Sequence, residues 1–173
     1  YDACRRYWDR KRPRGKLVLV GGTGTGKSLL TLLMHFGYLE RGILSRWVTV
    51  PQLRNIFKQL DSYATSFNED DREEARRQLA QLQTAHVIFI DDLGSPGAER
   101  RAGVGAIMDG IKTLLESERA IVVTTNLADA AEVEAHPELG FQSLSRLMGA
   151  ATLVQFSGED WRVASARRAG EKP

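Results

Sequence analysis

Short apolar runs alternate with longer amphipathic stretches along the chain, and this alternation predicts parallel strands joined by crossover helices. The strands expected are Lys16 to Val20, Arg46 to Val50, His86 to Ile90, Ala120 to Thr124 and Thr152 to Phe156. "VIFI" and "AIVVTT" carry no polar alternation, as befits strands covered on both faces. The helices expected between them are Lys27 to about Glu40, Pro51 to Leu60 with proline in its first turn, Asp71 to Gln83, and Gly97 to Ser117. A shorter pair is expected between Ala128 and Met148. In the longest helix Val104, Ile107, Met108, Ile111, Leu114 and Leu115 recur at helical spacing, which makes an ordinary core-facing stripe. The polar stretch "DSYATSFNEDD", Asp61 to Asp71, reads as a loop.

Composition narrows the picture without deciding it. A chain of 173 residues with 42% hydrophobic content suits one domain with a single substantial core. The net charge of +2 is too small to argue for nucleic-acid binding, although both ends are basic: Arg5, Arg6, Arg10, Lys11, Arg12, Arg14 and Lys16 at the start, Arg162, Arg167, Arg168 and Lys172 at the end. A solvated flank accounts for these charges as well as DNA does. The lone Cys4 excludes an intrachain disulfide, and His35, His86 and His136 are too scattered to suggest a metal site. With no apolar signal core near the start and no apolar stretch of membrane-spanning length, a cytoplasmic protein without membrane partners is expected. The chain opens at Tyr1, without methionine and inside an expected helix, which reads as a fragment lacking its natural N-terminal portion. Three segments are expected: a linker helix over 1–14, the main domain over 15–162 and a basic tail over 163–173.

Chemistry enters at "GGTGTGKS". Gly21, Gly26, Lys27 and Ser28 fit G-x-x-x-x-G-K-[ST] between an expected strand and an expected helix, the context that phosphate binding requires. The backbone N–H groups of Gly22, Thr23, Gly24, Thr25, Gly26, Lys27, Ser28 and Leu29 can curl around phosphate at a helix N-terminus. Lys27 supplies a full charge across the terminal phosphates, and Ser28 a hard oxygen for Mg²⁺. "HVIFIDDLGS" delivers Asp91 and Asp92 to the sheet edge where nucleotides bind. Asp91 is read as the Mg²⁺ carboxylate. Asp92 stands where hydrolytic proteins usually place a glutamate for the attacking water; aspartate is one methylene shorter, so slow or conditional turnover is expected, and a cap on the turn before Gly94 is the bland alternative. In "IVVTTNL", Asn126 would emerge beside the γ-phosphate if the Ala120 strand lies between the other two; a helix cap is the alternative there.

Taken together, "GGTGTGKS", "TVPQL", "VIFIDDLG", "VVTTNL" and "SRL" resemble, in order and spacing, the AAA+ ATPase core shared by DnaC/DnaI-type helicase loaders and IstB-type transposition helpers. The resemblance runs from about Tyr7 to Arg162. It implies an α/β P-loop NTPase sandwich with a five-stranded parallel sheet of order 5-1-4-3-2 and a lid reduced or absent, since only "VASARRAGEKP" follows Arg162. It implies ATP and ADP as ligands with Mg²⁺, a catalytic set of Lys27, Asp91, Asp92 and Asn126, and Arg146 of "LSRLMG" as a finger reaching the neighbouring subunit's nucleotide. "FSGEDWR" is similar to the family's terminal G-x-x-[YW]-R segment, which makes Arg162 a candidate for the nucleotide of its own subunit, with a solvated basic turn as the alternative. Family resemblance also turns attention to Pro51 to Leu82 as the DNA-facing stretch, where Arg54, Lys58, Ser66 and Phe67 have suitable side chains. Phe57 reads rather as core, and Arg76 and Arg77 as a salt-laced exposed face.

The leading expectation is an ATP-driven switch that self-associates into a ring or spiral on single-stranded DNA and loads a DnaB-type replicative helicase, bound through the absent N-terminal region. The alternative is IstB-like delivery of a transposase to duplex DNA. A small-acceptor kinase and a module that holds ATP without hydrolysing it are the readings from other classes.

Overall fold

The structure, a computed structural model, describes residues 2–9, 11, 13–60, 68–93, 113–114, 119–127 and 151–170. Its strands are β1 (Lys16–Val20), β2 (Ser45–Thr49), β3 (Val87–Leu93), β4 (Ala120–Thr125) and β5 (Ala151–Gln155). All pair in parallel in the order β2-β3-β4-β1-β5, which is the expected 5-1-4-3-2 read from the other side. The helices are α1 (Asp2–Trp8), α2 (Lys27–Glu40), α3 (Val50–Leu60), α4 (Glu69–Thr84) and α5 (Trp161–Gly170). Thr113 and Leu114 are also helical, with Leu114 buried, as its place in the expected stripe requires. The remainder of that helix and the pair expected between 128 and 148 lie outside the described residues.

The central strands read as apolar runs because two cores lie against them. Along β1, Val18 and Val20 face one side with Leu53 and Ile56 of α3 and Leu82 of α4. Leu17 and Leu19 face the other, with Met34 and Tyr38 of α2 and Cys4 and Tyr7 of α1. Alternation along a strand thus feeds both cores, and the positions between them are apolar from Leu17 to Val20, Val87 to Ile90 and Ala120 to Val123. The edge strand β5 has exposed positions at Thr152, Leu153 and Gln155.

Several elements differ from expectation. Helix α4 begins at Glu69 inside the stretch read as a loop, because Asn68 accepts from Asp71 N at 2.8 Å while the Asp71 carboxylate accepts from Asn68 N, a capping box. Residues 61–67 lie outside the described set. The expected linker helix α1 is packed into the body: Tyr38 Oη donates to Tyr7 O at 3.0 Å, Tyr7 Oη to Gly15 O at 3.0 Å, and Gly37 leaves room for the Trp8 indole. Arg41 lies over the Trp8 and Tyr38 rings and donates to Trp8 O at 2.8 Å, pinning α1 to the end of α2. Where a lid reduced or absent was expected, α5 forms one short helix, which runs through the boundary drawn after Arg162. Its residues lack an apolar stripe, but Ala and Arg are strong helix formers and Asp160 caps it.

Candidate functional site

Parallel strands point their carboxyl ends to one edge, so the segments that follow β1, β2, β3 and β4 converge there. They line a cavity of about 740 Å³ bounded by Thr23, Gly24, Thr25, Gly26, Lys27, Ser28, Leu29, Thr49, Pro51, Asp91, Asp92, Asn126, Trp161 and Arg162. The sheet order brings β4 between β1 and β3, the condition on which the expected role of Asn126 depended.

The loop after β1 opens directly into α2. Gly24 has φ +71, a conformation that L side chains rarely adopt, and a Cβ there would meet the Asp160 carboxylate. Lys27 is 4% exposed, and its Nζ donates to Gly21 O and Gly22 O, each at 2.7 Å, and to Thr25 Oγ1 at 3.3 Å. Burial pushes the Lys27 ammonium below its ordinary pKa, the carboxylates of Asp92 and Asp91 act in the opposite direction, and the Arg162 guanidinium adds to the lowering. Arg162 lines the same cavity, with its side chain 72% exposed.

The carboxylates are set by a bulge. Between Ile90↔Val123 and Leu93↔Thr125, β3 spends three steps where β4 spends two, and Asp92 takes up the surplus with φ 66. The strand therefore continues through the acidic pair to Leu93 rather than ending at Ile90. Asp91 is 7% exposed and its Oδ1 accepts from Thr124 Oγ1 at 2.6 Å. The same Thr124 oxygen accepts from Asp92 N at 2.9 Å, and Asn126 Nδ2 donates to Asp92 Oδ1 at 2.5 Å. Asp92 is thus tied to the tip of β4 by both its backbone and its side chain. The turn before Gly94 and any helix after Leu127, on which the two cap alternatives depend, lie outside the described residues.

On the far side of the loop, Trp161 N donates to Gly24 O at 3.1 Å, so the first turn of α5 rests on the phosphate loop. Arg162 Nε and Nη2 approach Asp160 Oδ1 and Oδ2 at 3.2 and 3.3 Å. Thr49, Thr124, Asp160, Pro51 and Trp161 were missed as site residues in the sequence. A usable signal existed for Asp160, an N-cap residue before a run of helix formers; Thr124 lay inside "VVTTN" but its neighbours could be known only from the register. Arg146, Ser66 and Phe67 lie outside the described residues. Arg54 and Lys58 are on α3, the first partly buried and the second exposed, while Phe57 packs against the core as expected. Arg76 pairs with Glu69 and Arg77 with Glu74, which accounts for that exposed face. His35 is engaged with Ser45 at 2.6 Å. Among the described residues no cluster of three or more His, Cys, Asp or Glu could hold a metal by itself, and no helix is long and apolar enough to cross a membrane.

Hard oxygens from Ser28 and the buried Asp91 carboxylate, beside an ammonium and glycine-lined backbone, suit Mg²⁺ together with a polyphosphate rather than a bare metal centre. Known proteins agree with this chemistry. An insertion sequence IS21 ATP-binding protein of Pseudomonas aeruginosa is 26% identical over 157 residues, covering 89% of this chain and 55% of the relative, so this chain spans about half of that protein's length. AMPPCP-bound DnaA from Aquifex aeolicus superposes with a TM-score of 0.66 at 13% identity, over 99% of this chain and 50% of that one. A crystal structure of DnaI gives 0.62 at 19% identity, over 90% and 82%. At these identities the two structures speak for the fold, a P-loop AAA+ sandwich. The family model described as IstB-like ATP binding protein matches residues 8–169, and the chain belongs to that family.

Proposed function

We propose that the chain is an ATP-hydrolysing AAA+ switch that works on DNA as a transposition helper. The observation that carries the ATPase reading is the meeting of Lys27, Asp91, Asp92 and Asn126 around one cavity. Lys27 holds the β- and γ-phosphates, exchanging its loop carbonyls for phosphate oxygens. Ser28 and Asp91 hold Mg²⁺, which supplies charge neutralisation of the phosphates when bound. Asp92 and Asn126, already hydrogen-bonded to each other, orient the water that attacks the γ-phosphate; the shorter carboxylate keeps turnover slow. Arg162 contributes a second cation from the same subunit. Arg146 acts from a neighbouring copy, so that hydrolysis follows assembly into a ring or spiral. No acceptor other than water is needed.

Membership of the IstB-like family and the IS21 relative favour delivery of a transposase on duplex DNA over helicase loading. Loading of a DnaB-type helicase on single-stranded DNA is kept as the second reading, favoured by the DnaI likeness over 82% of that chain. Under either reading Arg54 and Lys58 of α3 belong to the DNA-facing stretch. The test is binding of labelled single-stranded and duplex DNA with ATP, ADP or the Lys27→Ala variant at several salt concentrations, with phosphate release measured in parallel. ATP-dependent preference for duplex is expected. Preference for single strands would transfer the reading to helicase loading, and absence of phosphate release with and without DNA would defeat the ATPase reading.

A further inference from the structure

The junction between β5 and α5 places an anion at the lip of a phosphate-binding loop. Asp160 caps α5: its Oδ1 accepts from Arg162 N at 2.9 Å, and its carbonyl accepts from Val163 N at 3.0 Å and Ala164 N at 2.9 Å. Its carboxylate also occupies the space a side chain on Gly24 would take, so it lies against the middle of the loop. A fixed negative charge there opposes phosphate unless something offsets it. The offset is Arg162, which grips both carboxylate oxygens at 3.2 and 3.3 Å. Those distances are long for an arginine–carboxylate fork, which usually closes to about 2.7 to 2.9 Å. The Arg162 side chain is 72% exposed against 25% for Asp160, so the cation is the partner able to leave. It lines the same cavity as Lys27.

We infer that Asp160 is a specificity-determining residue of the nucleotide site: it holds Arg162 when no terminal phosphate is present and yields it to the γ-phosphate of a nucleoside triphosphate. Because a diphosphate offers no third phosphate to compete, Arg162 favours the triphosphate, and Asp160, competing for the same guanidinium, sets how large that preference can be. Trp161, bonded to Gly24 through its backbone, keeps the turn in place while the arginine swings. The inference rests on reading the cavity as an ATP site.

The experiment is calorimetric titration of a non-hydrolysable ATP analogue and of ADP, each with Mg²⁺, into the wild-type chain and the Asp160→Asn, Asp160→Ala, Arg162→Ala, Asp160→Asn/Arg162→Ala and Lys27→Ala variants. Asparagine caps a helix as well as aspartate, so Asp160→Asn removes the charge and keeps the fold. In Asp160→Asn the expected result is a tightening of the analogue over ADP by about two- to fivefold, the scale of an exposed ion pair, which disappears in the Arg162→Ala background. Equal changes for both nucleotides, or an effect that survives without Arg162, would overturn the exchange. So would an inert Asp160→Asn beside a weakened Asp160→Ala, which would reduce Asp160 to a helix cap. Wild-type binding no stronger than that of Lys27→Ala would overturn the ATP site itself and the exchange with it.

Discussion

Replacing Thr124 with valine changes almost no volume and keeps a β-branched residue in a central strand, yet it deletes the oxygen on which the acidic pair is hung. Thr124 is 2% exposed; its hydroxyl donates to Asp91 Oδ1 at 2.6 Å and accepts from Asp92 N at 2.9 Å. A hydrogen bond to an ionised carboxylate contributes about 1.5 to 3 kcal/mol, and an orphaned buried N–H costs about 1 to 3 kcal/mol. The two losses share one site and are not additive, so a destabilisation of about 2 to 4 kcal/mol is expected. With a urea m-value of about 2 kcal/mol per molar, the midpoint falls by roughly 1 to 2 M. The same change loosens both carboxylates, and outer-shell losses of this kind lower activity by about 10- to 100-fold. Urea unfolding followed by circular dichroism reads the first effect and ATP-dependent phosphate release the second; Thr124→Ser restores both. A destabilisation below about 0.5 kcal/mol with unchanged phosphate release would refute the assignment of Thr124 as the support of the pair.

Alanine at Gly24 forces φ +71 on an L residue and drives a methyl into the Asp160 carboxylate; thermal melts should show a loss of about 1 to 2 kcal/mol and no upward shift on adding ATP, whereas a wild-type ATP response would contradict the close approach. His35 is pushed below its ordinary 6.5 by burial first and by Arg46 second, so the unfolded chain takes up the proton first on acidification. Stability should hold above about 6.5 and fall as pH drops through that value; a flat profile in urea melts, or an unchanged slope in His35→Gln, would count against it. Arg41→Ala removes the cation stacked 4.2 Å from the Trp8 ring centroid and 4.6 Å from that of Tyr38. About 1 kcal/mol should be lost, with faster hydrogen exchange confined to α1; unchanged exchange there would show the pin to be idle.

The fold was largely legible because its signals are additive along the chain. Uninterrupted apolar runs flanked by a glycine-rich loop or an Asp-Asp pair leave few alternatives to parallel strands meeting at one edge, and β1 and α2 have the expected bounds. The site was legible where function demands a residue type at a fixed offset, as with Lys27 after Gly26. It was not legible where position depends on register. The bulge that lifts Asp92 arises from the mismatch of β3 and β4, two segments 27 residues apart between Leu93 and Ala120. Helix α5 was not legible in "VASARRAGEKP" because that stretch has no apolar stripe to announce it, and the helix is held at its start by a cap and a bond to Gly24.

The insertion of β4 between β1 and β3 also dictates an order of assembly. The phosphate loop and the acidic pair belong to strands that never touch, and β4 is the spacer that holds them at working distance. A chain folded only as far as Asp91 therefore lacks that spacer, and its cavity still lacks Asn126, Trp161 and Arg162. Long-range parallel pairing of this kind is slow to form. A ligand held between the phosphate loop and the acidic pair would stabilise β1, β3 and the β4 spacer together, so the last contacts to form are the ones such a ligand would secure.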